Sequence, residues 1–103
     1  MTLFAVWARD RAGAEPDRLR VREAHRARLR APQPHPIEVL AAGPMVGGAG
    51  DGMNGTLLIV RAPSAEAVRR FVDGDPYVAA GVYASVDIQP WRCGLGPEAW
   101  TTP

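Results

Sequence analysis

The chain has 103 residues, enough for one domain of ordinary size, and its 47% apolar and 22% charged residues are typical of a soluble globular protein. All 12 basic residues are arginine, which excludes lysine Schiff-base chemistry and a phosphate loop of the GxxxxGK[ST] kind. The net charge of only +1 argues against nucleic acid or a membrane surface as a partner.

The first half of the chain is predicted to form a strand, a helix and a second strand. In residues 3–8 both the odd-numbered and the even-numbered positions are apolar, as in a strand that is buried on both faces. After a loop at 13–16, a helix is expected over 17–30, with Asp17 as its N-cap or as an acid in its first turn. Three prolines within 31–36 must end this helix. Residues 37–42 then read as the second strand.

A turn at Gly43-Pro44 is expected to close the second strand. The following stretch, 46–54, is rich in glycine and reads as a loop. Residues 56–60 are again apolar on both faces, which predicts a third strand.

The remainder predicts a second helix and a fourth strand. Ser64 is a suitable N-cap for a helix over 65–72. Residues 73–77 break or kink this helix, and 78–81 allow one further turn. Residues 82–91 alternate between apolar and polar types, as expected of a half-buried strand.

The predicted order is β-α-β-β-α-β, an α+β, ferredoxin-like arrangement with a four-stranded antiparallel sheet. Its two helices cover one face of the sheet, yet strands 3–8 and 56–60 are apolar on both faces. A homodimer that packs sheet against sheet would cover the second face. We expect one domain over residues 1–92 and a tail over 93–103, with Trp100 as the tail's anchor.

The single cysteine, Cys93, cannot form an internal disulfide or a CxxC zinc site, which favours a reducing compartment. The apolar run 2–8 is too short for a signal sequence, and no stretch approaches the ~20 apolar residues of a membrane helix. We therefore expect a cytoplasmic protein that does not enter membranes. No neighbouring motif in the sequence activates the Cys93 thiol, so a role as nucleophile is not expected.

The first helix carries an imidazole where an apolar residue is expected. His25 lies in one stripe with Val21 and Leu29, and Arg18 and Arg22 lie within about 60° of it. One interpretation is a half-buried structural histidine with arginines that extend to solvent. The other is a polar pocket in which His25 transfers protons and the arginines hold an anion. The remaining arginines of this helix are expected on or beside the solvated face: Arg20, Arg26, Arg28 and Arg30.

A second candidate group lies around Asp75. This carboxylate, placed before a proline, suits a helix cap, and it could also orient an imidazole. Tyr77 and Tyr83 could donate hydroxyls to a substrate or lie half-buried in the core. The turn Gly43-Pro44-Met45 could form a pocket wall, or simply end a strand.

Other features of the sequence favour ordinary structural roles. Glycines 47, 48, 50, 52 and 55 lack GxGxxG spacing and a following helix, so a flap or plain loop is expected rather than a phosphate loop. His35 lies between two prolines and is expected in solvent. No metal site is expected, although a set made of His25, Asp75 and water stays open.

Three segments together resemble the YciI-like (YCII-related) family. They are RLRVREAHRARL at 18–29, LAAGPM at 40–45 and DPYVAAGVY at 75–83, and the resemblance extends to about residue 92. It implies a dimeric α+β barrel and a histidine–aspartate pair in a cleft, roles that fall on His25 and Asp75. One branch of the family is associated with dehalogenation of chlorinated aromatic diols. The chain departs from the pattern at 31–36, at 46–55 and after Cys93, which leaves its substrate open.

The first functional hypothesis is therefore a cofactor-independent lyase or isomerase that acts on a small phenolic or anionic molecule. His25 would transfer the proton, Asp75 would orient it, and Arg22 with Arg18 would bind the substrate. The alternative is a non-enzymatic dimer that binds a small metabolite or a partner peptide. Haem chemistry ranks low, because His25 is a lone candidate ligand.

Overall fold

The computed structural model describes residues 1–47 and 52–101. These residues form four strands and four helices, and the last helix is a single turn within the tail. In chain order they are β1 (Thr2–Asp10), α1 (Glu15–Arg30), β2 (Glu38–Val46), β3 (Met53–Ala62), α2 (Ala65–Asp73), α3 (Pro76–Ala79), β4 (Tyr83–Trp91) and α4 (Glu98–Thr101).

The strands form one antiparallel sheet in the order β2-β3-β1-β4. The first and third strands are central, which explains why both of their faces are apolar. Helix α1 connects β1 to β2, and α2 with α3 connects β3 to β4. This confirms the predicted α+β, ferredoxin-like fold.

Helix α2 supplies four of the ten buried residues in the main apolar core of the described part of the chain. It is amphipathic, and its four buried residues pack on the buried side chains of β1 and β3. Its N-cap is Ser64, whose hydroxyl accepts a hydrogen bond from the Ala67 amide at 3.1 Å, as predicted. Helix α1 differs, because its two fully buried side chains are Arg18 and His25. Helix α2 therefore contributes apolar side chains to the core, whereas α1 carries polar groups inward.

The predicted start of α1 and the predicted end of β2 are both wrong. Helix α1 begins at Glu15 rather than at residue 17, because Pro16 is tolerated in a first helical turn, and Asp17 is a first-turn acid rather than the cap. Strand β2 does not close at Gly43-Pro44 but continues to Val46. It lies at the edge of the sheet, where a proline removes no essential ladder hydrogen bond.

The glycine-rich segment is shorter than predicted on both sides, since β2 ends at Val46 and β3 begins at Met53. The amide of Gly47 donates to the carbonyl of Gly52 at 2.8 Å. The predicted flap is centred on residues 48–51, which lie outside the described part of the chain. In the tail, Trp100 is half-buried and Cys93 is buried, while residues 102–103 are not described.

The helices cover one face of the sheet and leave the other open. On the open face, Trp7 and Leu57 lie opposite each other on the central strands, and each is 41% exposed. Trp91 of β4 is also exposed there, opposite Leu3. Across residues 1–47 and 52–101, no helix has the length and hydropathy to cross a membrane.

Candidate active site

A cleft of about 460 Å³ opens between helix α1 and the edge strand β2. One wall comes from successive turns of α1, and the other comes from residues 39–44 of β2. Thr56 of β3 and Tyr77 of α3 complete it. The residues that α1 contributes are Arg18, Arg22, His25, Arg26, Leu29 and Arg30.

His25 and Asp75, 50 residues apart in sequence, meet at this cleft. Nδ1 of His25 lies 2.7 Å from Oδ2 of Asp75, and both side chains are almost fully buried. The other carboxylate oxygen of Asp75 accepts the backbone N–H of Tyr77 at 2.8 Å, which caps α3. Capping and pairing are thus not alternatives for Asp75, because each occupies a different oxygen.

The pairing determines which ring nitrogen of His25 is protonated. An ionised carboxylate only accepts hydrogen bonds, so Nδ1 must carry the hydrogen that it donates to Asp75. In neutral imidazole, Nε2 then holds a lone pair. No side chain of the described residues pairs with Nε2, and this nitrogen is not buried. The arrangement therefore presents Nε2 to the cleft as a base. Asp75 holds the imidazole in this tautomer in the way that the acid of a catalytic triad orients its histidine.

Tyr77 fixes the plane of the imidazole. The two rings stack with centroids 4.0 Å apart and an angle of 20° between them. The guanidinium carbon of Arg18 lies 4.4 Å from the centroid of the Tyr77 ring. The histidine is thus held through a hydrogen bond at one nitrogen and through ring stacking, which limits its rotation.

Arg18 is committed to the protein. It is 2% exposed and forms two hydrogen bonds of 2.8 Å to the carboxylate of Asp10 and one of 2.8 Å to the hydroxyl of Thr56. Burial lowers the pKa of Arg18, but the hydrogen bonds and charge of Asp10 outweigh burial, so the net shift is upward. Arg18 therefore stays charged, and Asp10 neutralises it.

Arg22 has no such partner. It is half-buried and lines the cleft, and no hydrogen bond or ion pair to it occurs within the described residues. Its guanidinium group can therefore bind an anion next to His25.

The other predicted binding residues divide into two groups. Gly43 and Pro44 line the cleft, as does Tyr77. Met45 pairs with Gly55 in the sheet, and this register puts it on the face away from the helices, outside the cleft lining. Tyr83 does not line the cleft either, and its hydroxyl donates to Thr56 at 3.0 Å.

His35, expected in solvent, is half-buried, and so is Arg28, which was expected on or beside the solvated face. Arg28 lies over the ring of Phe71, with its guanidinium carbon 4.2 Å from the centroid, and one terminal nitrogen is 3.3 Å from Nε2 of His35. His35 also meets Phe71 edge to face at 5.5 Å. Burial lowers the pKa of Arg28, and the charge of Asp75 opposes that shift. Helix spacing alone had placed Arg28 on or beside the solvated face. His35, in the proline-rich segment 31–36, lies against Arg28 and covers part of it.

The described residues contain no group of three histidine, cysteine or carboxylate side chains suited to a metal ion. His25 and Asp75 are two such groups, and they bind each other. Of the polar residues at the site, Asp10 and Thr56 were not predicted. Both lie on strands, and each meets Arg18 of α1 through a contact between elements that the sequence does not reveal.

Alkaline pH is expected to destabilise the protein through both tyrosines. Burial raises the pKa of Tyr83, against the hydrogen bond with Thr56, and burial also raises the pKa of Tyr77, against the charge of Arg18. Folding thus favours the neutral phenols. That stabilisation is complete below the unfolded pKa of about 10 and is lost as the pH rises above it.

The measurement is the free energy of unfolding by urea at a series of pH values from about 8 upward. Tyr83→Phe should be less stable at the lowest pH and should lose stability less steeply on the alkaline side. The same alkaline slope in both proteins would contradict the assignment.

Comparison with known proteins identifies the family of this chain. The model of the YCII-related domain matches residues 2–92. The chain belongs to the YCII-related family. Protein YciI from Escherichia coli O6:H1 (strain CFT073) is 40% identical over 96 residues, which cover 87% of this chain and 96% of that protein. An uncharacterized protein from Haemophilus influenzae is 33% identical over 94 residues, 86% of this chain and 95% of that protein.

One solved structure of a small-molecule enzyme is similar over nearly its whole length. It is 5-chloro-2-hydroxyhydroquinone dehydrochlorinase (TftG) from Burkholderia phenoliruptrix AC1100, in complex with 2,5-dihydroxybenzoquinone. It superposes with a TM-score of 0.77 at 32% identity, covering 89% of this chain and 95% of that chain. A fold similar to this one therefore occurs in an enzyme whose name gives a hydroxylated, chlorinated ring as its substrate.

Proposed function

We propose that this protein is an acid–base enzyme of the lyase or isomerase type, with a small phenolic or otherwise anionic substrate. The observation that supports this most is the buried His25–Asp75 pair at 2.7 Å in a cleft rich in arginine. A histidine buried only for packing needs no ionised carboxylate on one nitrogen and an open cleft at the other.

In the proposed reaction, Nε2 of His25 removes a proton from a hydroxyl or carbon of the substrate. Asp75 stabilises the imidazolium that results, through the hydrogen bond at Nδ1. The electron pair released becomes an oxyanion or enolate, which Arg22 stabilises, or expels a leaving group such as chloride. The imidazolium returns the proton to another atom of the substrate or to solvent. No step needs an oxidant or a reductant.

The hydroxylated ring named for the dehydrochlorinase supports this substrate class. Phenols lose protons more readily than alcohols, and a neutral imidazole is a suitable base for them. The apolar wall formed by Leu29 and Val39 suits the face of such a ring.

The test is turnover of chlorinated and unchlorinated di- and trihydroxybenzenes by the parent and by His25→Gln. The variant should lose about 100-fold or more in kcat, the usual scale for a general base, and keep its fold. His35→Gln is the matched control, because it removes the other histidine, which lies outside the cleft lining, and it should keep parent kcat. Tight ligand binding with no turnover by the parent would contradict the proposal and favour the non-enzymatic binding module.

We also propose that the open face of the sheet packs against a second copy of the chain. Trp7 and Leu57 are 41% exposed at its centre, and Ala5 and Ile59 beside them are half-buried. The helices already cover the opposite face, so an apolar patch on central strands is left facing solvent in the single chain. An isologous dimer would bury it on both copies at once.

Leu57→Arg is expected to convert the dimer to a monomer, because it places a charge at the centre of the proposed interface. Sedimentation equilibrium gives the mass directly. Leu95→Arg is the control, since Leu95 is 97% exposed in the tail, and that variant should stay dimeric. A monomeric parent at all protein concentrations would contradict the proposed dimer.

A further inference from the structure

A ladder of arginines runs along the cleft away from His25. Arg22, Arg26 and Arg30 are spaced by one helical turn, and all three line the cleft. Their Cα atoms span about 12 Å along the axis of α1, since each residue adds about 1.5 Å. Arg22 is half-buried beside His25, whereas Arg26 and Arg30 are exposed at the rim. The sequence interpretation had assigned the last two to the solvated face.

The charge of this ladder is almost uncompensated. No aspartate or glutamate is among the residues that line the cleft in the described part of the chain. Arg22 and Arg30 have no hydrogen-bond or ion-pair partner within residues 1–47 and 52–101. Arg26 contacts Glu23 at 3.2 Å, but the Glu23 side chain is 80% exposed, and such surface pairs contribute little. Arg18 is different, because Asp10 already neutralises it.

The space between these charges is apolar. Leu29 lies on α1 between Arg26 and Arg30, and it faces Val39 and Leu40 across the cleft. The volume of about 460 Å³ is within the range of about 300–1,000 Å³ that holds drug-sized ligands. The cleft thus offers a base at His25, an apolar wall at Leu29 and Val39, and two rim cations, Arg26 and Arg30, of which Arg26 has only an exposed ion-pair partner.

We propose that Arg26 and Arg30 form a distal oxyanion subsite, and that the substrate carries a carboxylate or phosphate remote from its reacting hydroxyl. This rests on the proposed function, because it assumes that the reacting end lies at His25 and Arg22. The acid group binds the two rim guanidinium groups, and the apolar body lies against Leu29 and Val39. Guanidinium groups bind both planar carboxylates and phosphates through paired hydrogen bonds.

The test compares ligands that differ only at the distal end. We would measure dissociation constants by calorimetry for 3-(4-hydroxyphenyl)propionate, for its uncharged amide, and for the phosphate monoester of 4-hydroxyphenethyl alcohol. The parent should bind the carboxylate or the phosphate about ten-fold or more tightly than the amide, as charge-assisted hydrogen bonds to two arginines imply. Whichever of the two anions binds more tightly identifies the distal group.

The double variant Arg26→Gln/Arg30→Gln should bind anion and amide equally, within about two-fold. The control Arg20→Gln removes an exposed arginine of the same helix that does not line the cleft, and it should keep the parent's preference. Arg22→Gln should weaken both ligands, since it acts at the phenolic end that they share. An equal affinity of the parent for anion and amide, or a preference retained by the double variant, would overturn the subsite.

The subsite and the proposed function fail in different ways. The subsite is tested by a ratio of affinities that requires no turnover, whereas the function is tested by the kcat of His25→Gln. A preference abolished in the double variant supports the subsite even if no substrate is turned over. Turnover that depends on His25, with no preference for the anion, overturns the subsite alone.

Discussion

Replacing Asp75 by asparagine is expected to reduce kcat by about 10²- to 10⁴-fold with little effect on the fold. The side chain has two roles, which its two oxygens divide between them. Oδ1 accepts the amide of Tyr77 and caps α3, and Oδ2 pairs with Nδ1 of His25 at 2.7 Å. Asparagine keeps the first role through its carbonyl oxygen, so the capped turn should survive.

The substitution reverses the hydrogen bond between this side chain and His25. With its oxygen on the Tyr77 amide, the asparagine side chain turns an N–H towards His25, and Nδ1 must then accept rather than donate. The hydrogen of the neutral imidazole moves to Nε2, which no longer offers a lone pair to the cleft. The stacked ring of Tyr77 prevents the imidazole from escaping this by a large rotation. The variant should therefore hold the histidine in place in the wrong tautomer.

Nitrogen chemical shifts of the His25 ring distinguish the two tautomers without a substrate. The parent should show a protonated Nδ1 and the Asp75→Asn variant a protonated Nε2. Asp73→Asn is the matched control, because Asp73 is an exposed carboxylate two residues earlier in the same segment, and it should change neither tautomer nor kcat. Parent turnover by Asp75→Asn would contradict the orienting role.

Much of the fold could be predicted because the hydrophobic pattern of each strand agrees with its place in the sheet. The strands at 3–8 and 56–60 carry apolar residues on both alternating sets, and they become the central strands β1 and β3. The end of β2 could not be predicted this way. Gly43-Pro44 is a turn signal in most contexts, and only its position at the sheet edge lets the strand continue.

From spacing alone the site could be predicted only along one helix, and the pairing of His25 with Asp75 was expected from the resemblance to a known family. Helical spacing correctly placed His25 and Arg18 inward, because both are fixed by their own helix. The register of β2 was beyond that method. A bulge between Val39 and Ala41 shifts the alternation of side chains, and Met45 then pairs with Gly55 on the far face. The position of a residue on a helical wheel predicts the direction of its side chain, whereas its contacts depend on the element that packs against the helix.

Arg18 shows the difference between facing a site and acting in it. It points towards the cleft, as its spacing predicts, but its Nε and one of its two terminal nitrogens already donate to Asp10 and Thr56. We therefore propose that Arg22 is the arginine that binds the substrate, and that Arg18 supports Tyr77 and the inner end of the cleft. Its substitution is expected to have the largest effect on stability in the chain.

Arg18→Met should reduce the free energy of unfolding by about 3–5 kcal/mol, since it leaves a buried carboxylate without its cation. The side chains of Arg18 and Asp10 are 2% and 4% exposed, so water cannot replace the lost partner. A typical domain has only about 5–15 kcal/mol in total, so the change is a large part of its stability. Urea unfolding at one fixed protein concentration measures the difference.

The double variant Arg18→Met/Asp10→Leu separates burial of an unpaired charge from simple loss of packing. Apolar residues of similar volume often replace a buried ion pair at little cost, so this variant should recover most of the stability that Arg18→Met loses. Arg20→Met, on the exposed side of the same helix, should change stability by about 1 kcal/mol or less. If the double variant were as unstable as Arg18→Met alone, the guanidinium would be acting through its packing on Tyr77, where its carbon lies 4.4 Å from the ring centroid, and not by neutralising Asp10.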